Sequence, residues 1–520
     1  MMSTSTVSPK KLSALLAGFA DIDTGMDCDV QGISVDSRRT KQGDLFLACA
    51  GTQSHGLNYA DSALGKGAVA IAYEPVDNAP TNYPAPVEQD QVVPVISVED
   101  LGQCIGVIAE RFYGYPSYDM FVIGITGTNG KTSCSHFLAQ ALTDDKTACG
   151  VIGTLGNGLY GHLDVTGNTT PDAVTLHELM AEMRANNVHA VVIEVSSHGL
   201  VQGRVNGIDF NVAIFTNLSR DHFDYHLSME AYGEAKRQLF NMPGLMYAVI
   251  NTDDEFGRSL LGSMSKDVQV VTYGIDPEVQ IEDLPVLENF PVMLGDVRAT
   301  HLTLKTNGID VTISSPWGDG VITSPLIGRF NASNLLAVSA VMFLMGYRMD
   351  DVTRKLGQVH TIAGRMERFE GRPGQAVVIV DYAHTPDALR HVLKALREQC
   401  QGKLWCVFGC GGDRDQGKRP LMASAVEQYA DQIVITDDNP RHEDGDVIIE
   451  DILSGLKNAD SVHVERNREQ AIAYVIDQAD GNDLILVSGK GHEDYQLIGD
   501  NKIPFSDREI VQSLLREKAG

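Results

Sequence analysis

The run Gly124-Ile-Thr-Gly-Thr-Asn-Gly-Lys-Thr-Ser133 follows an apolar Phe121-Val-Ile stretch and leads into a helix-forming segment from His136 to Leu142. Few folds accommodate a strand that ends in spaced glycines and turns into a helix through Gly-Lys-Thr. Backbone N–H groups freed around Gly127 and Gly130, with the positive end of the helix behind them, form a polyphosphate cradle that also includes Thr128, Asn129 and Ser133. Lys131 is expected to neutralise charge near the end of that polyphosphate, and the Thr132 hydroxyl to hold Mg2+. The spacing from Gly124 to Gly130 is one residue longer than in the strict P-loop, so the signature rests on Gly127-Thr-Asn-Gly-Lys-Thr132. The expectation is an α/β nucleotide-binding domain that consumes ATP.

A chain of 520 residues is too long for a single core and divides into roughly three domains. A hydrophobic fraction of 43% with 50 glycines suits an α/β protein with many strand-to-helix turns. The formal net charge of -28 argues against nucleic acid or an anionic membrane surface as a partner. An anionic substrate must therefore meet local basic residues set in an acidic exterior. The eight cysteines are scattered without a C-x-x-C pair, as expected for reduced thiols in a cytoplasmic protein. No apolar run approaches the roughly 20 residues needed to span a bilayer, so no membrane insertion is expected. Lys10 to Ala20 resembles a short signal peptide but lacks a clean cleavage site, and is read as a terminal amphipathic helix.

Up to about residue 110 the chain alternates short strands and turns, at 32–39, 44–48, 68–72 and 92–96, with a proline-rich exposed loop between the last two. From Phe121 the pattern becomes strand, helix, strand, with buried strands at 190–193, 212–215 and 247–250, as in a parallel sheet covered on both faces. Asn307-Gly308 between alternating runs predicts a hairpin, and a helix is expected from about Asn331 to Gly346. A third series has strands at 376–380, 404–408, 432–436 and 483–487, each running into a polar or glycine-rich loop. Ligands of open α/β sheets bind at such carboxyl ends.

Glu194 stands at the end of its strand, placed to hold Mg2+ beside the phosphate loop; the alternative is a cap for the next helix. Thr216-Asn-Leu-Ser-Arg-Asp-His222 closes another strand, which makes His222 either a second ligand or a structural histidine. Lys236 lies in a plain amphipathic helical pattern, and by periodicity alone is a surface residue. Gly409-Cys-Gly-Gly-Asp-Arg-Asp415 is not a dinucleotide fingerprint, because Arg414 takes the place of the third glycine; an arginine there suits a carboxylate instead. Asp437-Asp-Asn-Pro-Arg441 puts acidic, amide and guanidinium groups on a turn stiffened by Pro440, and Ser488-Gly-Lys-Gly-His-Glu-Asp494 adds charge of both signs. Taken alone, the proline loop could equally carry solvated charges. Three such loops in one sheet point to a zwitterionic ligand.

Across essentially its whole length the chain resembles the Mur ligases. The motifs that carry the likeness are Thr126 to Thr132, Gly167-Asn-Thr-Thr-Pro171, Glu194 to Arg204, Thr216 to His222, Gly412-Asp-Arg-Asp415 and Asp438-Asn-Pro-Arg441. The resemblance implies a small α/β N-terminal domain (1–112), a central P-loop domain with a mainly parallel sheet flanked by helices (113–361) and a Rossmann-like C-terminal domain (362–520). It implies an ATP- and Mg2+-dependent amide ligase that adds meso-2,6-diaminopimelate to UDP-N-acetylmuramoyl-L-alanyl-D-glutamate, acting as a monomer in the cytoplasm. Lys236 becomes, by resemblance, a carbamylated lysine that positions Mg2+ with Glu194, His222 and Thr132, and Lys131 joins these as catalytic.

The same resemblance implies that Val35, Ser37, Thr52, Gln53 and Ser54 meet the uridine nucleotide. Asn168, Thr169, Thr170, Ser196, Gln202 and Arg204 hold the muramoyl dipeptide, and Asn331, Arg365 and His384 approach ATP. Arg414, Asp438, Asn439, Pro440, Arg441, Gly489 and Glu493 select diaminopimelate, with Arg441 pairing the distal carboxylate that L-lysine lacks. The rivals are an L-lysine-adding relative, a folylpolyglutamate synthase and a noncatalytic nucleotide-binding regulator.

Overall fold

The chain's many buried Val-, Ile- and Leu-rich runs end at polar loops, and in the computed structural model they become strands of parallel sheets. The structure describes all residues except 1–6, 52–53, 76–86, 89–90, 145–146, 165–166, 220–222, 276–291, 306–307, 373 and 518–520. It divides into two units. The first comprises Met1–Ala299, Ser314–Gly318 and Asn334–Val352; the second comprises Thr300–Ile313, Asp319–Ser333 and Thr353–Gly520.

In the first unit, Gly32–Ser34, Asp44–Ala48, Ala70–Tyr73 and Val95–Ser97 form a small parallel sheet in that order. The terminal segment departs from the expected amphipathic helix. Lys10–Lys11 pairs as a short strand with Asp29–Val30, and only Leu12–Leu16 is helical. Asp27 holds the backbone N–H and hydroxyl of Ser13, and Gly18 at φ 79° takes the chain out of helical geometry. In the proline-rich stretch, Val87–Glu88 pairs antiparallel with Gln91–Val92, and Pro80, Pro84 and Pro86 lie outside the described residues.

The larger sheet of this unit runs Cys149–Gly153, Ala190–Glu194, Phe121–Thr126, Val212–Phe215, Tyr247–Asn251 and Gln269–Gly274, all parallel. From Phe121–Thr126 the chain first builds toward Cys149–Gly153 on one side, then returns to build toward Gln269–Gly274 on the other. The strand that precedes the glycine loop is thus the switch point of the sheet, where open α/β folds bind ligands. The flanking core includes Val122, Ile193, Phe210, Ala213 and Phe215. Asn307 of the expected hairpin turn is outside the described residues, between the strands Val292–Lys305 and Gly308–Ser315.

The second unit carries a sheet ordered Glu367–Phe369, Val377–Asp381, Leu484–Ser488, Leu404–Phe408, Gln432–Ile435 and His463–Val464. Only the first of these is antiparallel to its neighbour. Its two faces are covered by separate apolar clusters, one around Leu389, Leu393 and Met422, the other around Ile472, Val475 and Val511. The loops that leave Asp381, Phe408, Ile435 and Ser488 emerge at one edge, the carboxyl ends of the strands.

Candidate active site

Gly127 at φ 146° and Gly130 at φ 86° let the loop turn sharply between Phe121–Thr126 and the helix Lys131–Leu142. A Cβ on Gly127 would collide with the Thr216 hydroxyl, so this position admits no side chain. The loop is fastened to the neighbouring strand end. Thr128 N–H donates to Asn217 O at 2.8 Å, Asn129 N–H to the Asn217 side chain at 2.9 Å, and the Thr216 hydroxyl to Asn129 O at 2.6 Å. Lys131 Nζ donates to the carbonyls of Gly127 and Thr128 at 2.8 and 3.0 Å.

Glu194 is fully buried at its strand end. Its carboxylate accepts from the Thr132 hydroxyl at 2.7 Å and from Thr154 N–H and hydroxyl at 3.0 Å each. The capping alternative fails, because the helix Ser197–Val201 is capped by Ser196, whose hydroxyl accepts from Gly199 N–H. No described basic side chain pairs with Glu194. A buried carboxylate with only neutral donors, beside a threonine hydroxyl in a phosphate loop, is a hard-oxygen donor set that fits Mg2+. His222 lies outside the described residues, and among the described residues no cluster of three His, Cys, Asp or Glu could hold a metal.

Periodicity alone puts Lys236 in solvent, and this expectation is overturned: Lys236 is 1% exposed. The helix Met229–Arg237 turns Tyr232, Gly233, Ala235 and Lys236 inward. Lys236 Nζ donates to Gly127 O at 2.9 Å and sits 4.2 Å from the Tyr232 ring centre. A lysine on an otherwise ordinary polar pattern carries no local sign of this burial.

Of the residues expected to hold the dipeptide, Thr170, Ser196, Gln202 and Arg204 gather in one hydrogen-bonded network. The Thr170 hydroxyl donates to Glu194 O at 2.8 Å and lies 3.0 Å from Ser196 Oγ. Arg204 donates to Thr170 O at 2.7 Å and to Gln202 Oε1 at 2.6 Å, while Thr169 Oγ1 lies 3.1 Å from Thr154 Oγ1. Asn168 is exposed beside them in sequence. Thr154 was not singled out from the sequence, since a threonine after a glycine-ended strand is unremarked without its neighbours. Near the small sheet, Ser37 is buried, Val35 is exposed and Ser54 Oγ meets the Tyr59 hydroxyl at 3.0 Å; Thr52 and Gln53 lie outside the described residues.

In the second unit, the Arg365 guanidinium lies over the Tyr382 ring at 4.8 Å, and His384 Nδ1 meets Tyr382 O at 2.8 Å. Burial lowers the His384 pKa and raises that of Asp381, the latter opposed by Arg365. Asn331, on the helix Arg329–Leu344, is buried and donates to Ile327 O at 2.9 Å.

The residues expected to select the acceptor meet at the strand ends of the same unit. Asn439 Nδ2 donates to Glu493 Oε2 at 3.1 Å, and Lys490 Nζ donates to Asn439 Oδ1 and Glu493 Oε2 at 3.1 and 3.0 Å. Asp438 is 7% exposed, and no described group donates a hydrogen bond to its carboxylate. Gly489 at φ 118° faces it; a Cβ there would lie 2.9 Å from Asp438 Oδ2. Arg441, at φ 52° after the buried Pro440, donates from Nη1 to Gly412 O at 2.8 Å, and its backbone bonds Leu497 and Gly499. Its Nε and Nη2 have no partner among the described residues. Arg414 is exposed nearby in the loop after Phe408 and makes no hydrogen bond or ion pair among the described residues. A buried Asp438 and a part-buried Glu493 beside arginines with unspent donors can take an ammonium and a carboxylate together.

Three Mur ligase family models match the chain: the catalytic domain at residues 29–113, the middle domain at 125–342 and the glutamate ligase domain at 364–491. The UDP-N-acetylmuramoyl-L-alanyl-D-glutamate--2,6-diaminopimelate ligase of Coxiella burnetii is 46% identical over 489 residues, covering 94% of this chain and 96% of that protein. Its counterpart in Chromobacterium violaceum is 45% identical over 489 residues, covering 94% of each. The solved structure of a UDP-N-acetylmuramoyl-L-alanyl-D-glutamate--2,6-diaminopimelate ligase superposes with a TM-score of 0.72 at 31% identity, covering 98% of this chain and all of that one.

Proposed function

We propose that this chain, which belongs to the Mur ligase family, spends ATP to join meso-2,6-diaminopimelate to UDP-N-acetylmuramoyl-L-alanyl-D-glutamate in the building of peptidoglycan precursors. The observation that carries the ATP-dependent step is the buried Glu194 carboxylate, uncompensated by any described basic side chain and hydrogen-bonded to Thr132 of the glycine loop. The acceptor follows from the relatives' activity and from the mixed charges of Asp438, Arg441 and Glu493.

In this reading the terminal carboxylate of the D-glutamate residue attacks the γ-phosphorus of ATP, ADP leaves and an acyl phosphate forms. The neutral amine of diaminopimelate then attacks the acyl carbon, and the tetrahedral intermediate expels phosphate, which takes up the proton that the nitrogen loses. Gly127 to Ser133 wrap the phosphates, and Lys131 exchanges its loop carbonyls for phosphate oxygens as charge develops. Thr132, Glu194, His222 and carbamylated Lys236 would hold Mg2+, which supplies further neutralisation of the phosphoryl group. Arg204, Gln202, Ser196 and Asn168 to Thr170 orient the dipeptide; Val35, Ser37 and Thr52 to Ser54 hold the uridine end. Asn331, Arg365 and His384 serve ATP. Arg441 and Arg414 take carboxylates of the acceptor, and Asp438 and Glu493 its ammonium.

The enzyme works as a cytoplasmic monomer, where ATP is supplied. Among the described residues no helix is long and apolar enough to cross a membrane. The test is phosphate release from ATP in the presence of the UDP-dipeptide, with meso-diaminopimelate, L-lysine or L-glutamate as acceptor. Turnover with diaminopimelate alone is expected. Turnover with lysine would discard the role given to Arg441, and silence with all three would discard the ligase.

A further inference from the structure

Lys490 is among the largest fully buried side chains of the protein, and the proposed function gives it no role. It lies within the loop that follows Leu484–Ser488, three residues before Glu493. Its Nζ donates to Asn439 Oδ1 at 3.1 Å and Glu493 Oε2 at 3.0 Å, and stands 3.6 Å from Asp438 Oδ1. The proposed function gives Asp438 and Glu493 the ammonium of the acceptor amino acid, and Asn439 stands between them in the same loop cluster.

Two consequences follow from this geometry. The first concerns charge. Of the buried arginines nearby, Arg468 is engaged by Asp507 through two 2.7 Å hydrogen bonds and Arg419 by Glu443 and Asp451, so that neither makes a hydrogen bond or ion pair with Asp438 or Glu493. Lys490 is therefore the one described cation in direct contact with Asp438 and Glu493, and it reduces two carboxylates to a net charge of about -1, the complement of a single ammonium. The second concerns orientation. With Lys490 and Leu497 N–H both donating to Asn439 Oδ1, the Asn439 amide must turn its NH2 to Glu493. Glu493 Oε2 is then satisfied twice, and Oε1 remains for a ligand.

We propose that Lys490 is a positioning residue for the acceptor amino acid, setting the charge balance and the orientation of Asp438, Asn439 and Glu493. The proposal rests on the ligase reading, and the assay separates the two. The parent enzyme is first assayed with diaminopimelate; absence of turnover there removes the ligase reading and this proposal with it. With an active parent, Lys490→Met and Lys490→Gln are compared for KM and kcat, with thermal unfolding as a check on folding. Lys490→Gln keeps a donor for Asn439 and serves if Lys490→Met does not fold.

The expected result is a KM for diaminopimelate raised at least about tenfold, with kcat and the KM values for ATP and the UDP-dipeptide changed less than about threefold. An acceptor KM within about twofold of the parent in either folded variant, or a loss confined to kcat, overturns the role given to Lys490 while leaving the ligase in place.

Discussion

Lys236 Nζ donates to the carbonyl oxygen of Gly127 at 2.9 Å, which joins the helix Met229–Arg237 to the loop between the first strand and first helix of the nucleotide-binding sheet. Lys131 donates to the same oxygen at 2.8 Å, so two lysines far apart in sequence converge on one backbone atom. Replacement of Lys236 by Ala should lower acceptor-dependent phosphate release by about 100-fold or more. Because Lys131 still satisfies Gly127 O, the stability loss should be only about 1–2 kcal/mol, read from denaturant unfolding. A variant with near-parental turnover would remove Lys236 from the catalytic set.

Arg441 combines a guanidinium proposed to pair the distal carboxylate of the acceptor with a backbone at φ 52°, where a side chain is strained. Arg441→Ala and Arg441→Gly should both lose at least about tenfold in kcat/KM for diaminopimelate. The Gly variant should be the more stable of the two by about 0.5–1 kcal/mol, since it relieves the backbone without restoring the charge. Steady-state kinetics beside thermal unfolding tests both statements. Recovery of diaminopimelate use in the Gly variant would assign the loss to strain.

Glu110, on the helix Leu101–Tyr113, is 7% exposed, and burial pushes its pKa up to about 7; Arg111 opposes the shift and Asp209 adds to it. The folded state therefore holds a proton that the unfolded chain releases at its ordinary value of 4.5. The stability so linked is full below that value and is lost as pH rises through about 7. Glu110→Gln should flatten this dependence and be more stable than the parent at pH 8, by on the order of 1 kcal/mol after allowance for solvent screening. Urea titrations at several pH values measure it, and parallel curves for both proteins would refute it.

Arg468 and Asp507 are both fully buried and joined by two hydrogen bonds, and Arg468 also donates to Ser488 O at 2.9 Å. The pair ties the C-terminal helix Asp507–Glu517 to the loop that carries Gly489 and Glu493. Asp507→Asn should cost about 3–5 kcal/mol in denaturant unfolding, because it leaves a buried guanidinium without its counter-charge. A loss below about 1 kcal/mol would mean that water or a neighbouring carboxylate compensates it.

The glycine loop, the strands that lead into it and the strand-end positions of Glu194 and Arg441 were legible from local pattern. Glycine spacing, apolar runs and polar strand ends are short-range properties, and each dictates backbone geometry within a few residues. The expected helix over 10–20 is cut to Leu12–Leu16 for a long-range reason: the hold of Asp27 on Ser13 and the pairing of Lys10–Lys11 with Asp29–Val30 compete with helical hydrogen bonds. Lys236 and Lys490 were illegible for a related one. A lysine is coded identically whether its ammonium meets water or a buried carbonyl, and which it meets depends on elements brought alongside by sheet order. Only the tertiary structure brings Lys236 to Gly127 and Lys490 among Asp438, Asn439 and Glu493, because burial and counter-charge belong to the packed neighbourhood and not to the chain segment.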